Sequence, residues 1–472
     1  MATMNRNLNL FACFTALVIA GCSGDTKLPE ATGTGSVLAI NAISTSPSIA
    51  FLIEERAIAS VDFKNASTPA TYDDLDYTFS FEALLPPDPD DTGPNTPTRI
   101  ASQRLDVIRD TTYAFVISGA LAAPTITVWE SPRPEFVEGA TNFEVQFGHV
   151  AGTMGDFDVY FDDPIIAPVL GNEIGTLTFG QLMPATSLEA GDYKLTLTAV
   201  GDPANVLFES ATISPVATTS LLFSTFDTDE NDLSPVAVYA INQTTGANIG
   251  IVDVNYAPTV RFVHANSQVG PVDIYVEEPI DDPNILPLVA DQMFLDISAE
   301  LEIPQSNPVP FNYTAAGNIG TIHIDTDRPL VGGTRSDYYL IEIESGDDVL
   351  MTHIPNRRSI ETLVKISILN TAALGFSLDI YIVTRDLLID EENPILPDDV
   401  FPILPGLPIG ITPVDFTLLE GAFDLYVTAN ADKVSMAGPI PLDIVLGDVV
   451  ELIIYENVAD PTLVDVVSIT PP

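Results

Sequence analysis

Apolar and polar residues alternate with a period of two along the stretch Val260-Arg-Phe-Val-His-Ala-Asn-Ser-Gln-Val-Gly-Pro-Val-Asp-Ile-Tyr-Val276. In its first half, Val260, Phe262 and His264 fall on one face and Arg261 on the other. In its second half, Val272, Ile274 and Val276 point one way, while Asp273, Tyr275 and Glu277 point the other. That alternation predicts two half-buried β-strands joined by a short turn, read here as a hairpin with Asp273 and Tyr275 facing solvent. Weaker copies recur three times. Each first strand closes on a polar residue, at Asn41, His149, His264 and Asn370, separated by 108, 115 and 106 residues. Nine places later stand Ala50, Asp158, Asp273 and Asp379, and eleven places later Leu52, Tyr160, Tyr275 and Tyr381. Such constant spacing marks one supersecondary unit used four times, with the first copy the most divergent.

Later segments repeat as well. Leu188-Glu-Ala-Gly-Asp-Tyr-Lys-Leu-Thr-Leu-Thr198 has a counterpart in Leu418-Leu-Glu-Gly-Ala-Phe-Asp-Leu-Tyr-Val-Thr428, and both read as a turn feeding an alternating strand. Each unit holds about six to eight short strands and no convincing amphipathic helix, and the 38 prolines and 29 glycines sit mostly between strands. The economical solution is all-β: tandem Ig-like antiparallel β-sandwiches, four in number. The expected division is 1–21 leader, 22–35 tether, 36–140 divergent first sandwich, then 141–257, 258–360 and 361–472. Four units in line would reach roughly 100–150 Å. Loops rich in proline and acid, at 86–94, 227–232, 277–284 and 390–394, are expected to be mobile surface segments.

Charge narrows the partners. Lys and Arg number 17 against 66 Asp and Glu, a net charge of −49. Nucleic acid is excluded as a partner, because phosphate contacts need clustered cations. Anionic lipid is equally unsuited to capture by charge. The two cysteines, Cys13 and Cys22, both lie near the N-terminus, so the sandwiches must be held without disulfides.

The apolar run from Leu8 to Ala20 is too short for a comfortable membrane span and ends in Val18-Ile-Ala-Gly-Cys22. This resembles the lipobox of bacterial lipoproteins. The resemblance implies cleavage before Cys22, lipidation of its thiol and amino group, and stable anchoring by two or three acyl chains. Ser23, where an Asp would signal retention at the inner membrane, implies the outer membrane, facing the periplasm or the cell surface.

Catalytic chemistry finds no foothold in the motifs. His149 and His264 are replaced by Asn41 and Asn370 in the other copies. Asn can plug a strand end by hydrogen bonding but cannot transfer protons near neutral pH. The polar residue is therefore read as structural, bonded to the following turn. There is no Gly-x-Ser-x-Gly elbow, phosphate loop or Cys/His pair, and His323 and His353 lack partners at zinc-ligand spacing. Calcium is the cofactor the acidic loops could take, although Asp227–Asp232 lacks the regular spacing of a calcium loop. Trp129, the single tryptophan, leaves any sugar-stacking platform to Tyr and Phe.

The motif at 260–276 resembles the opening signature of a bacterial domain-of-unknown-function family, Val-Arg-x-x-His-Ala-Ser followed by Val-Asp-Val-Tyr. The family's Leu-x-Ala-Gly-x-Tyr segment is matched at 188–193. The resemblance implies tandem Ig-like sandwiches in exported, lipid-anchored proteins, and no activity. The expectation is a non-enzymatic envelope lipoprotein with a structural, adhesive or protein-interaction role. It would be held in the membrane through Cys22, with envelope or extracellular proteins or glycans as partners. The alternatives are a glycan- or calcium-binding module working at the loop ends and, less favoured, an enzyme with an unrecognised site.

Overall fold

The computed structural model describes residues 30–85, 96–276, 285–303, 308–343, 345–385, 395–457, 459–460 and 462–469. The leader, Cys22 and the tether up to residue 29 lie outside the described residues, as do 86–95, 277–284 and 386–394. Every described element is a β-strand, and the chain is a tandem of β-sandwiches.

Eight sheets form four pairs with one topology. In each unit the first, fourth, seventh and eighth strands make one sheet, ordered 4-1-7-8, and the second, third, fifth and sixth make the other, ordered 3-2-5-6. The second unit adds a ninth strand, Asn248–Ile251, to its 4-1-7-8 sheet. The first strands are Thr34–Asn41, Asn142–His149, Thr259–His264 and Val364–Asn370. The second strands are Ile49–Ile53, Phe157–Asp162, Val272–Val276 and Leu378–Thr384. The first strand of every unit pairs in parallel with the seventh, for example Val37 with Tyr113 and Phe262 with Tyr338. The remaining ladders are antiparallel, so each 4-1-7-8 sheet is mixed rather than purely antiparallel.

This topology corrects the expected hairpin. Val260–His264 and Val272–Val276 are consecutive but pair in opposite layers, the first with Arg335–Glu342 and the second with Val309–Ala315. The turn between them is an arch over the end of the core. The apolar alternation was read correctly: Val260 and Phe262 meet Val272 and Ile274 across the sandwich with Phe311, Tyr338 and Leu340. The facing layers, however, touch by side chains and not by backbone hydrogen bonds.

The outer face of the first strand is buried too. Val37, Ala39, Tyr113, Phe115 and Ile117 fill the first unit's own core. Their neighbours Leu38, Ile40, Ala114, Val116 and Trp129 pack instead against Val150, Leu222, Phe226 and Ile241 of the second unit. Val263, Tyr339, Ile341 and Met351 of the third unit meet Leu369, Ile453 and Ile469 of the fourth in the same way. The 4-1-7-8 sheets therefore stack in pairs, unit one on two and unit three on four. The expected row of four separated units is corrected by this stacking. Arg261, Gln146 and Lys365, the polar residues of that outer face, are 2%, 2% and 5% exposed. Gln146 is carried in a buried amide network, accepting from Gln243 Nε2 at 2.8 Å and donating to the Met183 carbonyl at 3.2 Å. Arg261 bonds Asp337 through Nε at 3.0 Å and Nη2 at 2.5 Å, and reaches Glu451 of the fourth unit at 2.7 Å. Burial of that carboxyl pushes the Glu451 pKa up, and the Arg261 guanidinium opposes the shift.

Trp129 crosses from the first unit into the second. Its indole donates to the Gly180 carbonyl at 2.8 Å, and a Cβ on Gly148 would sit 2.4 Å from its ring. Gly148→Ala is therefore expected to overpack the seam between units one and two. It should lower stability by about 1–3 kcal/mol, read as a fall in the denaturant midpoint, and an unchanged midpoint would contradict this packing.

Candidate functional site

The repeated polar residues are joints of the fold. His264 is fully buried; its Nε2 lies 3.0 Å from the Gly270 carbonyl and its Nδ1 3.4 Å from the Asn266 amide, both in the arch. The amide hydrogen points to Nδ1, so the neutral ring carries its proton on Nε2. Asn370 bonds in a comparable way, donating to the Leu407 carbonyl at 3.1 Å and accepting from the Ala372 amide at 3.0 Å. Asn41 donates to the Val61 carbonyl and accepts from the Ile43 amide. His149 instead meets the Thr225 hydroxyl at 2.8 Å. Burial lowers the pKa of His149, His264 and His353, holding the neutral rings.

The Asp of each copy, expected on a solvent face, is 3%, 5% and 3% exposed at Asp158, Asp273 and Asp379. It does face away from the core, but two turns fold over it. Asp379 accepts from the Gly406 amide at 2.7 Å and the Ala431 amide at 2.9 Å, and Asp273 from the Asp291 and Gly317 amides at 2.9 and 2.8 Å. Asp158 accepts from the Gly201 amide at 2.7 Å and the Thr176 hydroxyl at 2.5 Å. Gly406, Ala431, Asp291, Gly317 and Gly201 all have positive φ, between 52° and 70°. The carboxylate is thus the acceptor that fixes left-handed turn residues. Opposite it stands a buried threonine in each case, Thr198, Thr314 or Thr428. Ala50 takes the place of the Asp in the first unit. There the fifth and sixth strands are joined by residues 84–97, whereas 200 and 201 suffice in the second. Tyr160, Tyr275 and Tyr381 are buried as well, so the Asp-x-Tyr pairs form no surface patch.

The structure brings together a different set of residues. A cavity of about 690 Å³ opens where units one, two and four meet the segment joining units three and four. Lys64 and Phe63 line it from unit one, Asp229, Asp232 and Tyr239 from unit two, Lys365, Asp415 and Phe416 from unit four, and Asn356 and Arg358 from the joining segment. Arg358 Nη1 donates to the Ser44 and Ser46 carbonyls at 3.0 and 2.8 Å, and its guanidinium lies over the Phe63 ring. Lys365 Nζ donates to the Asn356 and Arg358 carbonyls and to Asn356 Oδ1. Burial, with help from the nearby Arg358 charge, pulls the Lys365 amine down to about 8. Burial also pushes the Tyr239 phenol up to about 12. The joining segment is fastened on several sides. The Arg357 amide donates to Asn231 Oδ1 at 2.6 Å, the Ser359 amide to Glu230 at 3.2 Å, and the Glu361 amide to the Thr45 carbonyl at 2.9 Å.

The acidic loop 227–232, expected to be mobile or to bind calcium, is engaged by protein groups. Asp227 accepts from the amide and hydroxyl of Thr153, and Asp229 and Asp232 meet Lys64. Among the described residues no group of three or more His, Cys, Asp or Glu has the arrangement to hold a metal ion. His323 pairs with Asp348 at 3.0 Å, away from His353. Sequence reading missed the cavity because its walls come from positions hundreds of residues apart. One signal was present: adjacent arginines at 357 and 358 in a chain with only 17 basic residues.

No protein-family model and no curated protein matches the chain. Solved structures show weak similarity, among them these two. A family 26 carbohydrate-binding module of Eubacterium rectale Amy13K, in complex with maltoheptaose, is 14% identical over 45% of this chain and 97% of its own, with a TM-score of 0.16. The TIE protein of Bacillus anthracis is 6% identical over 90% of this chain and 69% of its own, with a TM-score of 0.15. Superpositions this loose carry no functional assignment.

Two substitutions test the joints. Asp379→Ala leaves two amides of left-handed turns without their acceptor and is expected to cost roughly 1–3 kcal/mol for each, measured by chemical denaturation. For His264, the folded pKa lies below the unfolded one. Its stabilising share is whole above the unfolded pKa of about 6.5 and is lost as pH falls through that value toward the folded pKa. His264→Asn should make the melting temperature fall less steeply than in the parent below pH 6.5, and parallel pH profiles would refute the assignment.

Proposed function

We propose that the chain is a non-enzymatic lipoprotein of the bacterial envelope, anchored at the outer membrane through Cys22, whose paired sandwiches form a structural or adhesive body that engages other envelope components. The observation that carries this reading is the use made of the repeated polar residues. His264, Asn370, Asp273 and Asp379, the groups that could have marked a repeated reactive site, fasten arches and turns. The lipobox at Val18–Cys22 and the resemblance of the repeats to exported, lipid-anchored tandem sandwiches support the address.

Cys22→Ser is expected to move the protein from the membrane fraction to the soluble fraction and to abolish acyl labelling. An unchanged membrane fraction would sink the anchor. Capture of the wild-type chain from intact envelopes should bring protein partners with it. If capture yields none, and calorimetric titration of glycan or calcium into the chain releases heat, the ligand-binding alternative replaces the structural one.

A further inference from the structure

Lys64 is 5% exposed, and its backbone sits in the left-handed region at φ 64°. Its amide donates to the Asn41 carbonyl at 2.9 Å, which fixes that turn beside the first strand. The side chain crosses to the second unit and ends between two carboxylates. Nζ lies 2.5 Å from Asp232 Oδ2 and 3.2 Å from Asp229 Oδ2. Asp232 Oδ2 also accepts the Asp229 backbone amide at 2.7 Å. Phe63 lies beneath the amine, 4.9 Å from Nζ to ring centre; Phe226 packs edge-on to Phe63 and Tyr239 edge-on to Phe226. One amine is therefore held against two acids and one aromatic ring, at a seam between units that no disulfide can tie.

We propose that Lys64 and Asp232 condense into an intramolecular isopeptide bond that joins the first sandwich covalently to the second, with Asp229 as the proton carrier. The reactive pair is the free amine and the carboxylic acid, reached from the ion pair by proton transfer within the site. Nζ and Oδ2 already lie within hydrogen-bond distance for that transfer. Burial raises the Asp232 pKa, against the opposing pull of Lys64, which favours its acid form. The Lys64 nitrogen adds to Asp232 Cγ, forming the C–N bond. Charge builds on Oδ2, where the Asp229 amide already donates a hydrogen bond. The Asp229 carboxylate takes a proton from the nitrogen and passes it to the departing hydroxyl. The C–O bond breaks and one water leaves toward the cavity that these residues line. Amine and acid become amide and water, with no oxidant or reductant. Holding both reactants in contact supplies an effective concentration of about 10⁵–10⁸ M, enough to oppose hydrolysis.

The test is a tryptic peptide map of the full chain, denatured before digestion. With the bond in place, trypsin cannot cut after Lys64. The stretch Ala57–Arg99 should then appear joined to Leu195–Arg261, with a mass one water below the sum of the two. Fragmentation should place the link between Lys64 and Asp232. Lys64→Arg should restore cleavage at residue 64, splitting 57–99 into 57–64 and 65–99, and release Leu195–Arg261 on its own. Separate peptides from the wild-type chain, with cleavage after Lys64, would overturn the proposal and leave a buried ion pair. A link mapped to Asp229 would overturn the assignment of roles. The wild-type map alone decides between bond and ion pair, whether or not the variant folds.

Discussion

The parallel pairing of the first and seventh strands governs the rest of the architecture. It places two apolar strands side by side in the middle of a sheet, as in Val37–Ile40 against Tyr113–Val116, with every residue of both segments buried. A strand buried on both faces cannot rest against its own sandwich alone. The outer row must find a second cover, and the covering surface is the matching sheet of the next unit. Pairing of units is thus a consequence of strand order. The buried polar residues Gln146 and Arg261 then need partners inside the seam, and they find them in Gln243 and in Asp337 with Glu451.

Scarce positive charge is placed where units meet. In a chain of net charge −49, like charges push the units apart. Lys64, Arg261, Arg335 and Arg358 each reach across a boundary: to Asp229 and Asp232, to Glu451, to the Glu230 carbonyl, and to the Ser44 and Ser46 carbonyls. Where the amine or guanidinium is buried against an acid, the attraction is far less screened by salt than at the surface. Halting the units against one another also creates the cavity, which is the space left between units one, two and four and the segment that joins units three and four.

The strands, their periodicity and the four-fold repeat were legible in the sequence because they depend on neighbours one to eleven residues apart. The core-facing choice of Val260, Phe262, Val272 and Ile274 follows from alternation alone. The arch was not legible, because alternation is the same whether two strands share a sheet or face each other across a core. For Asp273 and Tyr275 alternation gave the correct side and the wrong environment. A face turned from the core is wet only if nothing folds over it, and the covering turn at Gly317 is 44 residues away. The outer burial of Leu38 and Ile40 did leave a trace, since the run Val37-Leu-Ala-Ile40 has no polar member. Lys64 with Asp229 and Asp232 left none: their meeting depends on two units docking.

The contact between Thr45 and Glu361 spans 316 residues of chain. A polypeptide that emerges N-terminus first can fold its first sandwich long before Glu361 has emerged. Until the second unit follows, Leu38, Ile40 and Val116 have no cover, and until the segment after unit three arrives the Ser44–Ser46 turn lacks the arginine that holds it. Assembly is therefore staged by the order in which the units emerge, and its early products expose apolar sheet faces. A chaperone that shields flat apolar sheets would be needed most between the first unit and the second, and least once the Arg357–Glu361 segment has closed over both pairs.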